Sequence, residues 1–326
     1  MIVSQTPFRV SFAGGGTDLP AYYRQQFGAV LSVTLKRHMY VTVHRRFEPS
    51  IRIAYTKTET ANSVGEIQHE LVREALRKVG LDESLEITTI ADVPAGTGMG
   101  SSSALTVGLL NAMSAYAGRV ATRERLAREA CAIEIDTLGH PIGRQDQYAV
   151  SFGGMNYIRF NPDDSVNVEP VPLQLDTQAE LEARILLLYT DKQRSASSIL
   201  EKQSARTGER MSVLTEMRDL ADAMRHTLTG TVDLEQFAAL MHEGWQLKRS
   251  LGFGISDEQI DAWYEAGRKA GAQGGKLLGA GGGGFLMFIA PPERHDAIRE
   301  ALGRPRELAF EIERVGSRIV FISDCR

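Results

Sequence analysis

A stretch rich in glycine and serine at residues 94–105 holds the residue types best suited to chemistry in this chain. Glycine lets a loop curl so that its backbone N–H groups point inward, and a following helix adds unpaired N–H donors and a positive dipole. The stretch lacks the Gly-Lys-Ser/Thr ending of a Walker A loop, but it predicts a site for an anion, most often phosphate. The residues predicted to form this site are Pro94, Gly96, Thr97, Gly98, Met99, Gly100, Ser101, Ser102 and Ser103.

The elements on either side of this glycine–serine loop (residues 94–105) favour the phosphate interpretation. An isolated run of glycine and serine is equally typical of a flexible turn. Here residues 85–91 have the pattern of a strand, and residues 104–117 predict a helix that is apolar nearly all round and therefore buried. A strand, a glycine-rich loop and a buried helix, in that order, are the context that a phosphate loop needs.

Two carboxylates downstream break the local pattern. Glu134 lies beside the apolar face of a helix predicted over residues 122–138, for which Thr122 is the expected N-cap. A carboxylate in that place is costly unless it is paired or binds a metal, so Glu134 is either the partner of an arginine or a metal ligand. Asp146, between two glutamines in a predicted turn, is an ordinary loop aspartate by itself. Beside a phosphate site it becomes a candidate general base or metal-site acid.

Two further segments carry candidate binding residues. Arg9 lies where Phe8, Val10 and Phe12 alternate with polar residues, so it is either a solvated residue of an edge strand or a phosphate clamp. The segment 279–284, which follows Lys276, contains four consecutive glycines, more than a tight hairpin needs. We therefore expect close approach of the backbone to a ligand or to another segment there.

The composition excludes several classes of protein. With 326 residues, 43% of them apolar and 24% charged, the chain is typical of a globular protein long enough for two domains. A net charge of −4 gives no basic footprint for nucleic acid. The two cysteines lie far apart and predict neither a disulfide framework nor a metal site. No apolar run could span a bilayer and no signal-peptide pattern is present, so we expect a cytoplasmic protein without membrane partners.

The elements that must position these residues predict an α+β fold, because strands and helices mix without strict β–α alternation. The segment 161–181 is rich in proline and acidic residues and predicts an irregular linker. It separates predicted domains at residues 1–165 and 175–326. In the second domain the pattern predicts helices over residues 195–226, 233–250 and 293–302 and closing strands over residues 310–315 and 318–323.

Three segments in order resemble the three motifs of the GHMP kinases, the family named for galactokinase, homoserine kinase, mevalonate kinase and phosphomevalonate kinase. They are residues 6–20, 94–105 and 276–285. The resemblance implies a two-domain α+β kinase with ATP and substrate in the cleft between the domains, and with Mg²⁺ as cofactor.

The resemblance also implies a role for each candidate residue. Ser102 resembles the serine that binds Mg²⁺ in this family, although Ser101 or Ser103 could fill that place. Glu134 resembles the Mg²⁺-binding glutamate. Asp146 resembles the aspartate that accepts the proton of the substrate hydroxyl, and Arg9 resembles the basic residue that stabilises charge beside it.

The first motif points to a substrate class. Gly14–Gly15–Gly16–Thr17–Asp18 stands where many members have Gly-Glu-His, and this variant resembles the branch of sugar kinases that act on anomeric hydroxyls, the heptose 7-phosphate kinases and fucokinases. Residues 245–251 support the same branch. The implied reaction is ATP-dependent phosphorylation of the C1 hydroxyl of a heptose 7-phosphate, on the route to GDP-heptose for surface polysaccharide. The residues expected to bind this sugar phosphate are Gly14, Gly15, Gly16, Thr17, Asp18, Arg37, Arg194, Lys248, Gly281 and Gly282.

Two alternatives remain open at this stage. A kinase for an unphosphorylated sugar such as fucose would use the same machinery without a second anion pocket. A member that binds a sugar without catalysis is the other alternative, since a fold by itself does not fix function. The sequence predicts no oligomeric state.

Overall fold

The computed structural model describes residues 1–192, 207–252 and 254–323 of the chain. Its first half contains strands β1 Ile2–Ala13, β2 Gly28–Arg45, β3 Ile51–Ala54, β4 Thr58–Ala61, β5 Leu85–Ala91, β6 Met155–Phe160 and β7 Val166–Pro170, and helices α1 Pro20–Tyr23, α2 Glu70–Val79, α3 Ser101–Tyr116, α4 Arg123–Cys131 and α5 Gln145–Phe152. The second half contains helices α6 Leu175–Arg184, α7 Met211–Thr227, α8 Leu234–Ser250, α9 Glu258–Lys269 and α10 His295–Ala301, and strands β8 Ile185–Tyr189, β9 Gly274–Leu277, β10 Phe285–Ile289, β11 Glu307–Leu308 and β12 Arg318–Ile322.

A large sheet organises the first half. Its strands follow the order β12-β1-β2-β5-β3-β4, and β6 pairs with β2 and with β7. The pairings are antiparallel apart from β3 with β5. Helix α3 is almost wholly buried, as its apolar pattern predicts, and packs on β1 and β2. The loop that leads into α3 is therefore anchored between a sheet and its covering helix.

A smaller sheet organises the second half. It has the antiparallel order β11-β8-β10-β9, and β8 and β10 are buried along their whole length. Helix α8 packs on β9 and on α7. The two halves meet where α7 and α8 contact β1 and β2. The α+β class and the two-domain arrangement predicted above are thus confirmed.

The sequence-based boundaries need four corrections. Residues 161–181 are not irregular, because they contain β7, which pairs with β6, and the start of α6. The predicted helix over residues 122–138 consists of α4 followed by a π-helix, Ala132–Thr137. The alternation of apolar and polar residues predicts two strands, at 30–35 and 39–44, but the structure has one strand, β2, across both ranges. Of the predicted helix over 195–226, residues 195–206 lie outside the described ranges.

The strand predicted over residues 310–315 is the fourth error. The structure gives it one bridge, from Ile312 to Leu35. The free edge of β2 is short there, because β6 pairs with β2 up to Val33 and β5 pairs from Met39 onward. The closing strand β12 is present and pairs with β1, so the chain returns to the large sheet at its end. The predicted domain boundary, with the first domain ending at residue 165 and the second beginning at residue 175, stays a prediction.

Among the described residues, no helix is long and apolar enough to cross a membrane.

Candidate active site

The glycine–serine loop joins β5 to the N-terminus of α3. Gly96, Gly98 and Gly100 adopt left-handed φ angles of 76°, 80° and 73°, which other residues rarely adopt. The N-cap of α3 is Gly100, and no side chain caps this helix end. The first N–H groups of a helix have no partner within the helix. This end of α3 can therefore receive an anion, as the sequence predicts.

Arg9 and Asp146 form a two-pronged ion pair beside this helix end. The Nε and Nη2 atoms of Arg9, on β1, donate to Oδ1 and Oδ2 of Asp146, each at 2.6 Å. The Nη1 atom donates to the carbonyl oxygen of Gly98 at 2.6 Å, so Arg9 ties the carboxylate to the loop. Asp146 lies in the first turn of α5 and not in a loop, and it is about one-fifth exposed. The pairing fixes the carboxylate in position.

Glu134 is completely buried in the π-helix behind the loop. Ser102 Oγ donates to its Oε1 atom at 2.7 Å, and Gln147 Nε2 donates to its Oε2 atom at 2.6 Å. Its partners are a hydroxyl and an amide, so the arginine ion pair considered from sequence is not what holds it. Burial raises the pKa of the Glu134 carboxyl above its ordinary value.

The Glu134–Ser102 pair fits a magnesium ion. Mg²⁺ prefers oxygen ligands and is usually held by one or two protein carboxylates together with phosphates and waters. Here a carboxylate without a cationic partner lies against a hydroxyl at the mouth of an anion site. Ser102 contacts Glu134 at 2.7 Å, and Ser103 also lies within hydrogen-bond reach of this carboxylate. Glu134 with the serines at the start of α3 could therefore hold the metal.

Asp18 is a second buried carboxylate, in the turn after β1. Its Oδ1 atom accepts from the backbone N–H of Gly16 at 2.9 Å, and its Oδ2 atom accepts from the backbone N–H and the Nε2 of Gln145 at 3.2 and 3.0 Å. Burial, and then the nearby charge of Asp146, raise the pKa of Asp18. A side chain at Gly143 would lie 1.9 Å from Oδ2, so this glycine gives Asp18 its space.

Apart from Glu134, which is buried behind Ser102, these groups line one cavity of about 350 Å³ between the two halves of the molecule. The first half contributes the glycine–serine loop, the turn after β1 and the start of α5. The second half contributes Lys248 from α8 and the backbone of Gly279 and Ala280. The described residues that line it are Arg9, Ser11, Gly15, Gly16, Asp18, Glu70, Gly96, Gly98, Gly100, Ser101, Ser102, Ser103, His140, Ile142, Gly143, Gln145, Asp146, Lys248, Gly279 and Ala280.

Several predicted binding residues support the cavity without lining it. Thr97 and Met99 are buried, and the Thr97 hydroxyl donates to the Pro94 carbonyl oxygen at 3.0 Å. The Thr17 hydroxyl donates to the Gly14 carbonyl oxygen at 2.7 Å and stabilises the turn that carries Asp18. These side chains give the two loops their shape.

Besides Thr17, the predicted substrate residues Gly14, Arg37, Gly281 and Gly282 are not in the cavity wall that the structure describes. Gly281 and Gly282 face Ile255, to whose carbonyl oxygen the Gly282 N–H donates at 2.9 Å. Arg37 lies where β2 bulges, because Pro7 pairs with His38 and the next residue pairs with Leu35. The bulge leaves Arg37 without a partner on β1, and its guanidinium donates to the Lys36 carbonyl oxygen. Arg194 lies outside the described ranges.

Sequence reasoning missed other cavity residues. Gln145 and Gly143 position Asp18, and their place beside Asp146 in the sequence was the signal that could have found them. Glu70 Oε1 and His140 Nε2 lie 2.9 Å apart, within hydrogen-bond distance, in the cavity wall. They lie 70 residues apart in sequence, and no local pattern joins them.

A helix N-terminus that can receive an anion, with a fixed carboxylate beside it, suits phosphoryl transfer, the reaction of a kinase. Residues 66–154 match the model of the GHMP kinases N terminal domain, and residues 220–307 match that of the GHMP kinases C terminal domain. The chain belongs to the GHMP kinases.

Three proteins similar to this chain are sugar kinases by name. The D-glycero-alpha-D-manno-heptose 7-phosphate kinase of Campylobacter jejuni is 30% identical over 97% of this chain and 98% of its own length. A bifunctional fucokinase/GDP-fucose pyrophosphorylase of Arabidopsis thaliana is 26% identical over 94% of this chain, which spans 32% of that longer protein. The crystal structure of a D-glycero-D-manno-heptose 1-phosphate kinase from Bacteroides thetaiotaomicron has a TM-score of 0.82 at 27% identity, covering 99% of this chain and 100% of that one.

Proposed function

We propose that this kinase transfers the terminal phosphate of ATP to the anomeric C1 hydroxyl of a heptose 7-phosphate and yields the 1,7-bisphosphate. The observation that carries the proposal is the position of Asp146, which faces the same cavity as the uncapped N-terminus of α3 and is held there by Arg9. The sugar class rests on the relatives, two of which carry the name of a heptose phosphate kinase. The route to GDP-heptose is part of this proposal.

The Asp146 carboxylate accepts the hydroxyl proton while the hydroxyl oxygen forms its bond to the terminal phosphorus. The bond between that phosphorus and the bridging oxygen breaks, and ADP leaves with the electron pair. In a loose transition state the proton moves late, so Asp146 contributes mainly by orienting the hydroxyl. Arg9 keeps the carboxylate pointed at the cavity and offsets the negative charge that collects there.

The residues behind the loop would hold the metal. When bound to Ser102 and Glu134, Mg²⁺ would neutralise charge on the phosphates of the nucleotide. The N–H groups at the start of α3 would bind phosphate oxygens, and Gly100 lets them approach because a side chain there would lie 3.2 Å from both Arg9 and Asp146.

The sugar would lie against Asp18. Its carboxylate is fixed by Gly16 and Gln145 and remains in the cavity wall, where it can accept hydrogen bonds from sugar hydroxyls. The names of the relatives differ on the phosphate: one is a heptose 7-phosphate kinase and the other a heptose 1-phosphate kinase. The fucokinase relative keeps an unphosphorylated sugar as the alternative substrate. A silent sugar-binding member is disfavoured, because it would have no use for the Glu134–Ser102 pair and the fixed Asp146.

The test is ADP release with ATP and Mg²⁺ against heptose 7-phosphate, mannose 6-phosphate, mannose, fucose and galactose. Strong turnover confined to the phosphorylated sugars supports the proposal, and a product phosphorylated at C1 completes it. Turnover with a free sugar alone replaces the substrate but keeps the mechanism. No ADP release with any sugar, from protein that binds ATP, would point to the silent member.

A further inference from the structure

Lys248 is a buried cation that the proposed mechanism leaves unused. It lies in the last turns of α8, is about 8% exposed, and lines the cavity from the second half of the molecule. Its ammonium group donates to the carbonyl oxygen of Gly279. An ammonium group has three N–H donors. The carbonyl oxygen takes one of them, so two are left for other acceptors.

The charge of Lys248 is not balanced by a neighbour. Among the described residues of the cavity wall, only Arg9 and Lys248 belong to the lysine and arginine class. Arg9 is paired with Asp146, whereas no carboxylate in the described part of the chain lies within ion-pair distance of Lys248. Burying a charged group without a counter-ion is costly.

Lys276, on β9, is a second buried lysine whose contacts differ from those of Lys248. It too is buried, but its ammonium group donates to the carbonyl oxygens of Ser11 and Phe12 at 2.8 and 3.1 Å, and it does not line the cavity. Lys276 therefore joins the two halves of the molecule. Lys248 faces the space where substrates bind.

We propose that the ammonium group of Lys248 contacts the substrates directly and binds a phosphate group, either the phosphate carried by the sugar or the terminal phosphate of ATP. This inference rests on the proposed function. Phosphate is the anion that both substrates bring into the cavity, and a lysine binds it as a point charge. Lys248 then completes the site from the domain opposite Arg9 and Asp146.

The free protein should reveal this role through its pH dependence. Burial lowers the pKa of Lys248 to about 8, and Arg9 adds to this while Asp18 opposes it. The charged groups that face it are Arg9 on β1, Asp18 in the turn after β1 and Lys276 on β9. Because the positive form binds phosphate, binding should weaken as the pH rises above about 8. A group of ordinary lysine pKa would stay charged to about pH 10.

The experiment measures KM for the sugar phosphate and for ATP in wild type, Lys248→Met, Lys248→Arg and the control Lys269→Met, an exposed lysine at the end of α9. We expect Lys248→Met to raise one of the two KM values by about 10- to 100-fold, as is usual when a hydrogen-bonded charge is lost. The substrate whose KM rises identifies the phosphate. The control should match the wild type.

The pH profile separates binding from a structural role. In wild type the affected KM should rise between about pH 7 and pH 9, and in Lys248→Arg it should stay flat because arginine remains charged. If Lys248→Met folds and both KM values equal those of wild type, or if Lys248→Arg shows the wild-type rise, the inference is overturned.

A failure of the proposed function would look different. If none of the phosphorylated sugars is turned over, calorimetric binding of ATP and of mannose 6-phosphate to wild type and Lys248→Met still tests Lys248. Weaker binding of either compound to the variant supports the inference, and equal binding of both refutes it.

Discussion

The two glycine-rich segments of this protein look alike in sequence and do different work. The glycine–serine loop is followed by α3, and its glycines bring the end of that helix to the cavity. The segment 279–284 is followed by strand β10, and most of its glycines meet other backbone. A side chain at Gly281 would lie 2.6 Å from Ile255, and one at Gly284 would lie 2.4 Å from the Thr97 carbonyl oxygen.

This comparison shows that a glycine-rich segment predicts close approach of its backbone to another group, but not whether that group is a ligand or a part of the protein. A helix that follows the glycines supplies unpaired N–H groups, so a ligand can be the partner. A strand uses its N–H groups in the sheet, so most of the glycines before β10 meet protein backbone, and of this segment only Gly279 and Ala280 are among the described residues that line the cavity. The two segments even contact each other, since a side chain at Gly279 would lie 2.5 Å from the Cα of Gly98.

The largest expected effect lies beside the glycine–serine loop. Asp146→Ala removes the group that orients the hydroxyl, and we expect kcat to fall by about 10²- to 10⁴-fold. ATP affinity should change little, because Asp146 is not part of the helix end. ADP release and calorimetric ATP binding measure the two quantities, with exposed Asp82→Ala as the control. A wild-type kcat would remove Asp146 from catalysis.

The next largest expected effect is a loss of stability when Gly284, in the segment 279–284, is replaced. Gly284→Ala adds a side chain against the Thr97 backbone at a φ angle of 99°, and we expect it to lower the free energy of unfolding by about 2–4 kcal/mol. Urea unfolding measures this. Gly118→Ala is the matched control, because Gly118 has a φ of 73° and nothing within 4 Å of the added carbon, and should cost only about 1 kcal/mol. Equal losses in the two variants would contradict the packing role of Gly284.

A smaller effect tests whether Glu134, behind the glycine–serine loop, helps to bind Mg²⁺. Glu134→Ala should raise the Mg²⁺ concentration for half-maximal activity by at least about 10-fold. Removal of the carboxylate leaves Ser102 without its partner at 2.7 Å. A titration of activity with Mg²⁺ at saturating ATP measures the shift. An unchanged Mg²⁺ requirement in a folded, active variant would place the metal elsewhere.

The smallest expected effect concerns Asp18, in the turn after β1. Its pKa is raised above 3.8 in the folded protein, so the folded state binds the proton more tightly than the unfolded chain. Its contribution to stability is therefore present below pH 3.8 and is lost as the pH rises through the folded pKa, by about 1.4 kcal/mol for each tenfold difference in proton affinity between the two states. In Asp18→Asn this loss should be absent. Urea unfolding of both proteins across acidic and neutral pH measures it, and parallel curves would show that folding leaves the pKa of Asp18 unchanged.

Much of the fold and of the site follows from local sequence patterns. The buried helix after the glycine–serine loop, the α+β class and the proximity of Arg9 to Asp146 were predictable, the last through the family resemblance. The linker at 161–181 was not, because proline and acidic residues also suit an outer strand such as β7. Arg37 was wrongly predicted to line the substrate site, because the bulge that holds it depends on the pairing of β2 with β1. The sequence of β2 alone does not reveal that pairing.

The sequence by itself determined which atoms are available: glycines that permit left-handed turns, serine hydroxyls at a helix start, and the carboxylates of Asp18, Glu134 and Asp146. The tertiary structure decided which of them meet. That Glu134 is held by Ser102 and Gln147, and not by an arginine, was settled only by the tertiary structure. The pair of Glu70 with His140 joined the cavity only through the packing of distant elements. Local backbone preference acts over a few residues, whereas burial and charge pairing are set by neighbours that the chain brings together when it folds.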